Sequence, residues 1–397
     1  MSSSPVRRLV VTAGLALPAL LVPALPALAS PAAPPAPVLE VVTEGLDNPR
    51  GLTIGKDGTV YVVEGGRGGD DCRDLPPQGG HAGGDLCFGL TGSVTRVSDG
   101  VEVVPALPSF AGREGFFALG PNDVTTVGSG KFQVTISGGP LDVDKSALEL
   151  RPELSPLLGT VVRVRGGGDA DRTRIVADFL AYEDARNVDG DLNNDGTPNI
   201  ESNPYGILDN PGFFGGLFGA TTDAAANTLL RYGPFGYIET LAVFPTREVP
   251  NPFPGGSPTV NAQSVPTSVV IGPDGAYYVG ELTGFPWAPG TARIWRVPRF
   301  GGEPKVYRDG LTTVIDLTFD RHGNLYVLQV QDDGLLSNNL TGSLLRFAPG
   351  ADEPEVIASE GLVSPTSVAV ADDGTIYVSN FGYFPADGQV VKIAPPA

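Results

Sequence analysis

The segment DGDLNNDGTPNIES at residues 189–202 carries oxygen side chains at the alternate positions of a calcium loop. Gly196 permits a sharp turn, but the twelfth position, where an EF-type loop needs a bidentate carboxylate, is Ser202. Two interpretations stay open: a partial calcium loop, or a series of Asx turns in which side chains bond the backbone. Calcium is the one cofactor that the sequence suggests, and its candidate ligands are Asp191, Asn193, Asp195 and Thr197.

Cys72 and Cys87 are the only cysteines of the chain. In an exported protein two cysteines this close favour a disulfide, and closing a loop of about 15 residues contributes on the order of 3 kcal/mol through the unfolded state. Two free thiols or an incomplete metal site are the alternatives, although His81 between them would not complete a tetrahedral set. We therefore expect a Cys72–Cys87 disulfide.

The familiar catalytic motifs are absent from the sequence. It contains no nucleophile elbow, no zinc-binding histidine pair and no dinucleotide fingerprint, and GSGKF has Phe132 where a phosphate loop needs Ser or Thr. Of the two histidines, His322 lies in a predicted hairpin turn, which leaves His81 as the one candidate for a histidine general base. The sequence identifies no catalytic residue and leaves enzymatic activity undecided.

Internal repeats show which elements must position these residues. Four segments share a strand, a tight turn with Gly, and a second strand that ends in Tyr-Val: PRGLTIGKDGTVYV (49–62), PTSVVIGPDGAYYV (266–279), VIDLTFDRHGNLYV (314–327) and PTSVAVADDGTIYV (365–378). Further strands follow each segment, and two weaker copies begin at Pro121 and Asn203. The predicted fold class is all-β, a six-bladed β-propeller.

The two ends of the repeat region predict how the ring closes. The last repeat stops after its third strand, GQVVKI, whereas PVLEVVTEGLDNP near the N-terminus matches the fourth-strand segment PEVIASEGLVSP at 354–365. We therefore expect the N-terminal strand to complete the last blade, which would close the propeller.

The N-terminus is typical of an export signal. Two arginines precede an apolar run, and Ala-Leu-Ala at 27–29 offers the small-residue pattern that signal peptidase cleaves. We predict a signal peptide over 1–29, a Pro/Ala linker over 30–37 and a propeller over 38–397, secreted to the extracellular space or the periplasm with no membrane anchor after processing. The net charge of −19 argues against nucleic acid and anionic lipid as partners, because both would be repelled.

The long connections mark one face of the predicted disk as functional. They join second to third strands or one blade to the next, and both classes of connection share one face, called here the loop-rich face. Polar residues where first strands begin and second strands end would ring the channel mouth and bind a cation or a polar small molecule. Alternatively, they cap strand ends and bond neighbouring blades. The candidate ligand contacts are Arg50, Glu64, Asn122, Asp123, Asn203, Tyr205, Glu281, Asp316 and Asn380.

Several segments resemble the ScyD/ScyE family, named for proteins encoded with the cyanobacterial pigment scytonemin. They are NPYGIL (203–208), the run from PTSVV to GELTGFPW (266–287), VIDLTFDRHGNLYVL (314–328) and PTSVAVADDGTIYVSNFG (365–382). The resemblance implies an exported, NHL-like six-bladed propeller and does not imply scytonemin as the substrate. The DGDLNNDG segment departs from the family pattern, in which a shorter Asn/Pro/Asp/Gly stretch precedes the NPYG motif.

The chain also resembles, more distantly, the gluconolactonase and regucalcin propellers, in which a Glu, an Asn and an Asp at first-strand starts hold one divalent metal. The repeat alignment places an inward-facing column at Arg50, Asn122, Tyr205, Thr267, Ile315 and Thr366. Only Asn122 is a suitable ligand, and an inward Arg50 would oppose a cation. A shift of one residue would instead bring in Asp123 and Asp316.

Our leading hypothesis is a secreted propeller that binds a small-molecule or other extracellular ligand, small or extended, at its loop-rich face. GFPW at 284–287 offers an aromatic platform there, although Trp287 has the alternative role of filling a blade interface. The competing hypotheses are a metal-dependent lactonase-type hydrolase or pigment-pathway enzyme, and an extracellular protein-interaction scaffold. Neither the identity of the ligand nor the oligomeric state follows from the sequence.

Overall fold

The computed structural model describes residues 38–75, 84–138, 155–167, 173–192, 196–209 and 218–395. The predicted signal peptide and linker lie outside these ranges, and so do His81 and the candidate calcium ligands Asn193 and Asp195.

The first half of the ring consists of three antiparallel blades. The chain enters through β1 (Glu40–Leu46). Blade 1 contains β2 (Pro49–Ile54), β3 (Val60–Glu64), a short added strand β4 (Asp71–Leu75), β5 (Gly84–Arg96) and β6 (Val101–Ala111). Blade 2 contains β7 (Pro121–Thr126), β8 (Lys131–Ile136), β9 (Thr160–Arg165) and β10 (Arg174–Asp178), and helix α1 (Phe179–Arg186) follows it. Blade 3 contains β11 (Pro204–Asp209), β12 (Gly219–Asp223), β13 (Thr228–Gly233) and β14 (Tyr237–Val243).

A separate hairpin and three more blades complete the ring. The hairpin consists of β15 (Arg247–Pro250) and β16 (Thr259–Ala262). Blade 4 contains β17 (Pro266–Ile271), β18 (Tyr277–Glu281), β19 (Ala292–Val297) and β20 (Lys305–Leu311). Blade 5 contains β21 (Val314–Phe319), β22 (Leu325–Gln329), β23 (Ser343–Phe347) and β24 (Glu355–Ala358). Blade 6 contains β25 (Ser367–Val370), β26 (Ile376–Asn380) and β27 (Gly388–Ile393).

The ring closes through the N-terminal strand. β1 pairs antiparallel with β27 as the outer strand of blade 6, in a register that places Glu40 opposite Lys392. The first strand of each blade contacts the first strands of both neighbouring blades, including β2 and β25 across the closure. The predicted six-bladed propeller, completed by its N-terminal strand, is therefore confirmed.

Tight turns of fixed chemistry join the first and second strands. Gly58 and Gly275 adopt positive φ angles of 80° and 77°, a conformation that costs glycine little because it has no Cβ. The Asp before each glycine accepts a hydrogen bond from the backbone two residues on, with Asp57 bonding Thr59 N–H and Asp274 bonding Ala276 N–H, both at 3.1 Å. These Asx turns explain why Asp-Gly recurs in the repeats.

Apolar side chains between adjacent blades form the core. Between blades 1 and 2, for example, Val63, Val94, Phe132 and Val134 pack together and are almost fully buried. Burying each such side chain contributes roughly 1.5–3 kcal/mol. Because every blade packs against two others, the hydrophobic core is distributed around the ring.

The elaborated connections lie at the loop-rich face. Helix α1 and the β15–β16 hairpin connect one blade to the next, and β4 lies between the second and third strands of blade 1. β4 pairs with the first half of β5, and the predicted Cys72–Cys87 disulfide joins directly opposed residues of these strands, which confirms the pairing. No helix in the described part of the chain is long and apolar enough to cross a membrane.

Candidate functional site

Two polar residues at the ends of second strands are buried and bonded to neighbouring loops. Glu64, at the end of β3, accepts hydrogen bonds from the Ser93 hydroxyl at 2.9 Å and from the Asp47 N–H at 2.7 Å. Burial raises the pKa of the Glu64 carboxyl. Asn380, at the end of β26, accepts from the Val363 N–H at 2.7 Å. Both side chains hold loops that lead into first strands, and their role as ligand contacts stays a prediction.

Glu281, at the end of β18, is fully buried in an ion pair with Arg247 at 2.5 Å. Burial raises the pKa of Glu281 and lowers that of Arg247, while the attraction between the two charges opposes both shifts. Arg247 is the first residue of β15, so the ion pair ties the β15–β16 hairpin to blade 4. The remaining hydrogen-bond donors to Glu281 are Ser264 Oγ (2.8 Å), Thr283 Oγ1 (2.9 Å) and Trp295 Nε1 (2.5 Å).

Asn122 and Asn203 connect blades 2 and 3. The Asn122 side-chain amide donates to Asn203 Oδ1 at 2.9 Å and to the Pro204 carbonyl at 2.8 Å. The Asn203 N–H in turn donates to the Asp223 carboxylate at 2.7 Å. The structure thus brings two of the predicted contacts together, with their amide groups bonded across the blade interface.

Asp123 and Asp316 lie in the wall of the central channel. They occupy equivalent positions in β7 and β21, and blades 2 and 5 face each other across a six-bladed ring. Both line a cavity of about 260 Å³ whose other lining residues belong to the middle and C-terminal halves of the first strands. The cavity therefore lies in the half of the channel that is farther from the loop-rich face, near the tight turns between first and second strands.

Each of these carboxylates bonds the backbone of the next blade. Asp123 accepts from the Ile207 N–H at 2.8 Å, and Asp316 accepts from the Val368 N–H at 2.9 Å. Asp316 also accepts from serine hydroxyls of blades 4 and 6 at 2.8 and 2.6 Å. Burial raises the pKa of both carboxyls, and the charge of Asp316 raises that of Asp123 further. These bonds fasten adjacent blades around the channel.

Arg50, Tyr205 and Tyr383 lie at the loop-rich end of the channel. Arg50 and Tyr205 are the second residues of β2 and β11, and Tyr383 belongs to the loop between β26 and β27. Arg50 is 6% exposed, donates from Nη2 to the Ala118 carbonyl at 2.8 Å, and lies 4.8 Å from the centre of the Tyr383 ring. A cation would be repelled at this end of the channel.

Aromatic side chains from two loops form an exposed cluster beside Arg50, called here the mouth platform: Phe116, Phe117, Tyr383 and Phe384. Phe117 stacks on Tyr383 with ring centroids 5.0 Å apart, and Phe116 meets Phe384 edge to face at 5.8 Å. The Phe117 N–H also donates to the Tyr383 carbonyl at 3.2 Å. Phe117 is 63% exposed and Phe116 is 40% exposed. The platform therefore presents ring surface to solvent.

A second exposed cluster, called here the hairpin platform, consists of Phe253, Phe285 and Trp287. Phe253, between β15 and β16, stacks on Phe285 at 5.7 Å, and Phe285 meets Trp287 edge to face at 5.3 Å. GFPW predicts two members of this platform, but Phe253 and the mouth platform were not predicted from the sequence. The signal for the mouth platform is the Phe116-Phe117 pair, which interrupts a polar connection between two repeats.

The described part of the candidate calcium loop is bonded to its surroundings. Asp189 accepts from the Asp191 N–H at 3.0 Å, and the Asp191 carboxylate accepts from Gln263 Nε2 at 2.6 Å. Because Asn193 and Asp195 lie outside the described residues, calcium binding there stays a prediction. In the ranges that the structure covers, no three His, Cys, Asp or Glu side chains are grouped so as to hold a metal.

No family model and no curated protein matches the sequence. Similar solved structures include a streptogramin B lyase (14% identity, TM-score 0.45, covering 90% of this chain and 97% of that chain) and the virginiamycin B lyase of Staphylococcus aureus (14%, 0.45, 90% and 98%). A Thermus thermophilus protein described as a putative oxidoreductase of the glucose dehydrogenase type is also similar (19%, 0.49, 90% and 100%). At these identities the likeness concerns the fold alone.

Proposed function

We propose that this protein is an exported propeller that binds a ligand with flat apolar faces, such as an aromatic ring system or a sugar ring, on the platforms of its loop-rich face. The observation that carries the proposal is the exposure of rings that are grouped and stacked: Phe117 (63%), Phe285 (52%) and Phe253 (48%). Grouped apolar side chains on a surface mark binding sites, whereas scattered ones are ordinary.

Backbone conformation supports a functional role for both platforms. Phe117 and Trp287 have positive φ angles of 52° and 53°, which cost a non-glycine residue about 1–3 kcal/mol and persist only where surrounding contacts impose them. Backbone hydrogen bonds hold both residues, since Phe117 donates to Tyr383 and Trp287 donates to Gly284 at 2.9 Å. Rings that are already fixed lose little conformational entropy when a ligand stacks on them.

The positions of the platforms favour an extended ligand. The mouth platform is built from the loops after β6 and β26, in blades 1 and 6, whereas the hairpin platform lies between blades 3 and 4. These places are on opposite sides of a six-bladed ring. A ligand that spans the channel mouth can therefore contact both platforms. Because the second contact is then intramolecular, the overall affinity exceeds that of either contact alone.

The resemblance to the ScyD/ScyE family adds support from the same residues. The segment GELTGFPW contains Glu281, which anchors the β15–β16 hairpin, and Phe285, which stacks on that hairpin. The segment that carries the resemblance thus also builds the hairpin platform. We include membership of this family and export through the signal peptide in the proposal, and the Cys72–Cys87 disulfide is consistent with an oxidising compartment.

Calorimetric titration with 2-naphthamide and with laminarihexaose tests the proposal. We expect at least one of these neutral probes to bind, and Phe117→Ala or Phe285→Ala to weaken that probe about fivefold to a hundredfold, because stacking on one aromatic ring contributes roughly 1–3 kcal/mol. Phe235→Ala is the matched control, since Phe235 is exposed in the turn between β13 and β14 on the opposite face. Affinities that survive both platform substitutions would contradict the proposal.

The metal-dependent hydrolase ranks second because of how its donor residues are engaged. Asn122, Asp123 and Asp316 each bond a neighbouring blade, so metal binding would have to compete with bonds that hold the ring together. The third hypothesis, a protein-interaction scaffold, also uses exposed aromatic residues. It predicts that small ring-bearing probes do not bind even to wild type, and that the platform substitutions weaken the binding of a large protein partner.

A further inference from the structure

Arg50 is a buried cation with an incomplete set of partners. Its side chain is 6% exposed, and its Nε has no hydrogen-bond partner. The described acidic residues form no ion pair with it. A guanidinium withdrawn from water is unfavourable unless an anion or a full set of acceptors replaces the water. The loop-rich end of the channel therefore holds a positive charge without a counter-ion.

Two other arginines show why this arrangement is unusual. Arg247 is also largely buried, and it is paired with Glu281 at 2.5 Å. Arg308 lies over the Tyr307 ring at 4.3 Å and likewise has an unpartnered Nε, but it is partly exposed on the outer strand β20. Water can screen Arg308, whereas Arg50 combines burial with the lack of a carboxylate partner.

Two phenols complete a group of donors around Arg50. The charge of Arg50 acts on both phenols, Tyr205 and Tyr383, and the guanidinium lies 4.8 Å from the centre of the Tyr383 ring. Burial raises the pKa of both phenols and the Arg50 charge opposes the rise, so both O–H groups stay protonated at neutral pH. A guanidinium and two O–H donors match the oxygens of an anion. The charge of Asp316 raises the pKa of Tyr205, but the Asp316 carboxylate accepts its hydrogen bonds from blades 4 and 6 and forms no ion pair with Arg50.

Tyr383 links these donors to the mouth platform. Its ring stacks with Phe117 at 5.0 Å and also lies 4.8 Å from the Arg50 guanidinium. The Tyr383 ring therefore connects the exposed Phe117 ring to the Arg50 guanidinium. A ligand that contacts the mouth platform and carries its acidic group past the edge of the Tyr383 ring would reach the charge that lacks a counter-ion.

We propose that Arg50, Tyr205 and Tyr383 bind the carboxylate of a planar ligand that stacks on the mouth platform. This inference rests on the proposed function and narrows its ligand to a planar aromatic acid. The two N–H donors along one edge of the guanidinium match the two oxygens of a carboxylate, and a buried site strengthens that attraction. A neutral planar compound gains the stacking but leaves Arg50 without its counter-ion.

Calorimetric titration with 2-naphthoate, 2-naphthamide and acetate separates the two contributions. We expect wild type to bind 2-naphthoate at least tenfold more tightly than 2-naphthamide, and to bind acetate weakly because acetate has no ring. Arg50→Gln should remove the preference for 2-naphthoate and keep the affinity for 2-naphthamide. Arg308→Gln is the matched control and should retain the preference, since Arg308 lies on an outer strand.

A second variant covers the case in which Arg50→Gln disturbs the fold of the channel mouth. Tyr383→Phe keeps the ring and removes one O–H, and should weaken 2-naphthoate at least threefold without changing 2-naphthamide. Equal affinities of wild type for the two probes, a preference that survives Arg50→Gln, or no 2-naphthoate binding below about 1 mM would overturn the inference. If Phe117→Ala weakens 2-naphthamide while wild type shows no preference, the mouth platform stands and the anion site fails. If Phe117→Ala changes the affinity of neither naphthyl probe, the mouth platform and the anion site both fail, while the hairpin platform is tested separately by Phe285→Ala.

Discussion

At the scale of single residues, we expect Glu183 to make the stability of this protein depend on pH. It lies in α1, is 2% exposed, and accepts the Val188 N–H with both carboxylate oxygens, at 3.0 and 3.2 Å. Burial raises the pKa of Glu183 to about 7, and the charges of Asp189 and Asp223 contribute to the rise. Burial and the two neighbouring acids thus both favour the protonated form of Glu183.

The folded-state pKa of Glu183 lies above the unfolded value of 4.5, so its proton stabilises the folded protein. This contribution is complete below about pH 4.5 and is lost as the pH rises through about 7. We expect the free energy of unfolding of wild type to fall by about 2 kcal/mol relative to Glu183→Gln between pH 5 and pH 8. Urea denaturation across this range measures the difference. Asp184→Asn, on the exposed side of α1, is the control, and parallel curves for wild type and Glu183→Gln would refute the assignment.

At the scale of elements, buried polar contacts fasten the loops and the hairpin to the blades. Glu64 and Asn380 hold loops that enter first strands, and the Arg247–Glu281 ion pair holds a whole hairpin. The hairpin carries Phe253, which is half of the stacked pair on the hairpin platform. A buried ion pair thus determines where an exposed aromatic ring lies.

Arg247→Ala should destabilise the protein by about 3–5 kcal/mol, because it leaves the Glu281 carboxylate buried without its cation. The matched control is Arg296→Ala, whose pair with Asp274 is exposed and should contribute less than about 1 kcal/mol. Denaturant unfolding measures both losses. We also expect Arg247→Ala to weaken a ligand bound at the hairpin platform as much as Phe253→Ala does. Equal losses for the two arginine variants would mean that the buried pair does not hold the hairpin.

At the scale of the whole molecule, closure depends on one strand from the opposite end of the described chain. β1 supplies the outer strand of blade 6 and pairs along β27, with the Glu40–Lys392 ion pair at 2.8 Å between them. Without β1, the edge of β27 and part of the core under blade 6 would be exposed to water. Closure therefore protects both backbone groups and apolar surface.

A chain that begins at Asn48 should have a much lower Tm than a chain that begins at Ala36, or should aggregate, because it lacks β1 and its pairing with β27. A synthetic peptide of residues 36–47, added in excess, should restore part of the lost Tm by occupying the vacant edge. Differential scanning calorimetry measures both effects. Unchanged Tm values for the two chains would show that the ring does not depend on this closure.

The sequence by itself determined the propeller, its closure and the disulfide. Strand alternation, Asp-Gly turns and the match between the two ends are local patterns, and each repeat predicts its own blade. The repeat alignment came within one residue of the two channel carboxylates, because it placed Asn122 and Ile315 in the inward-facing column, whereas Asp123 and Asp316 line the cavity.

Only the tertiary structure decided which polar residues are already engaged and which aromatic rings are exposed. Glu64 and Glu281 look like free acids in the sequence, but loops that lie far from them in the chain fold onto them and use their oxygens. Phe253 and Phe285 meet because the hairpin folds back onto blade 4, and Arg50 meets Tyr383 because the first and last blades are neighbours in a closed ring. Contacts between distant segments depend on how the blades assemble, and no local pattern records them.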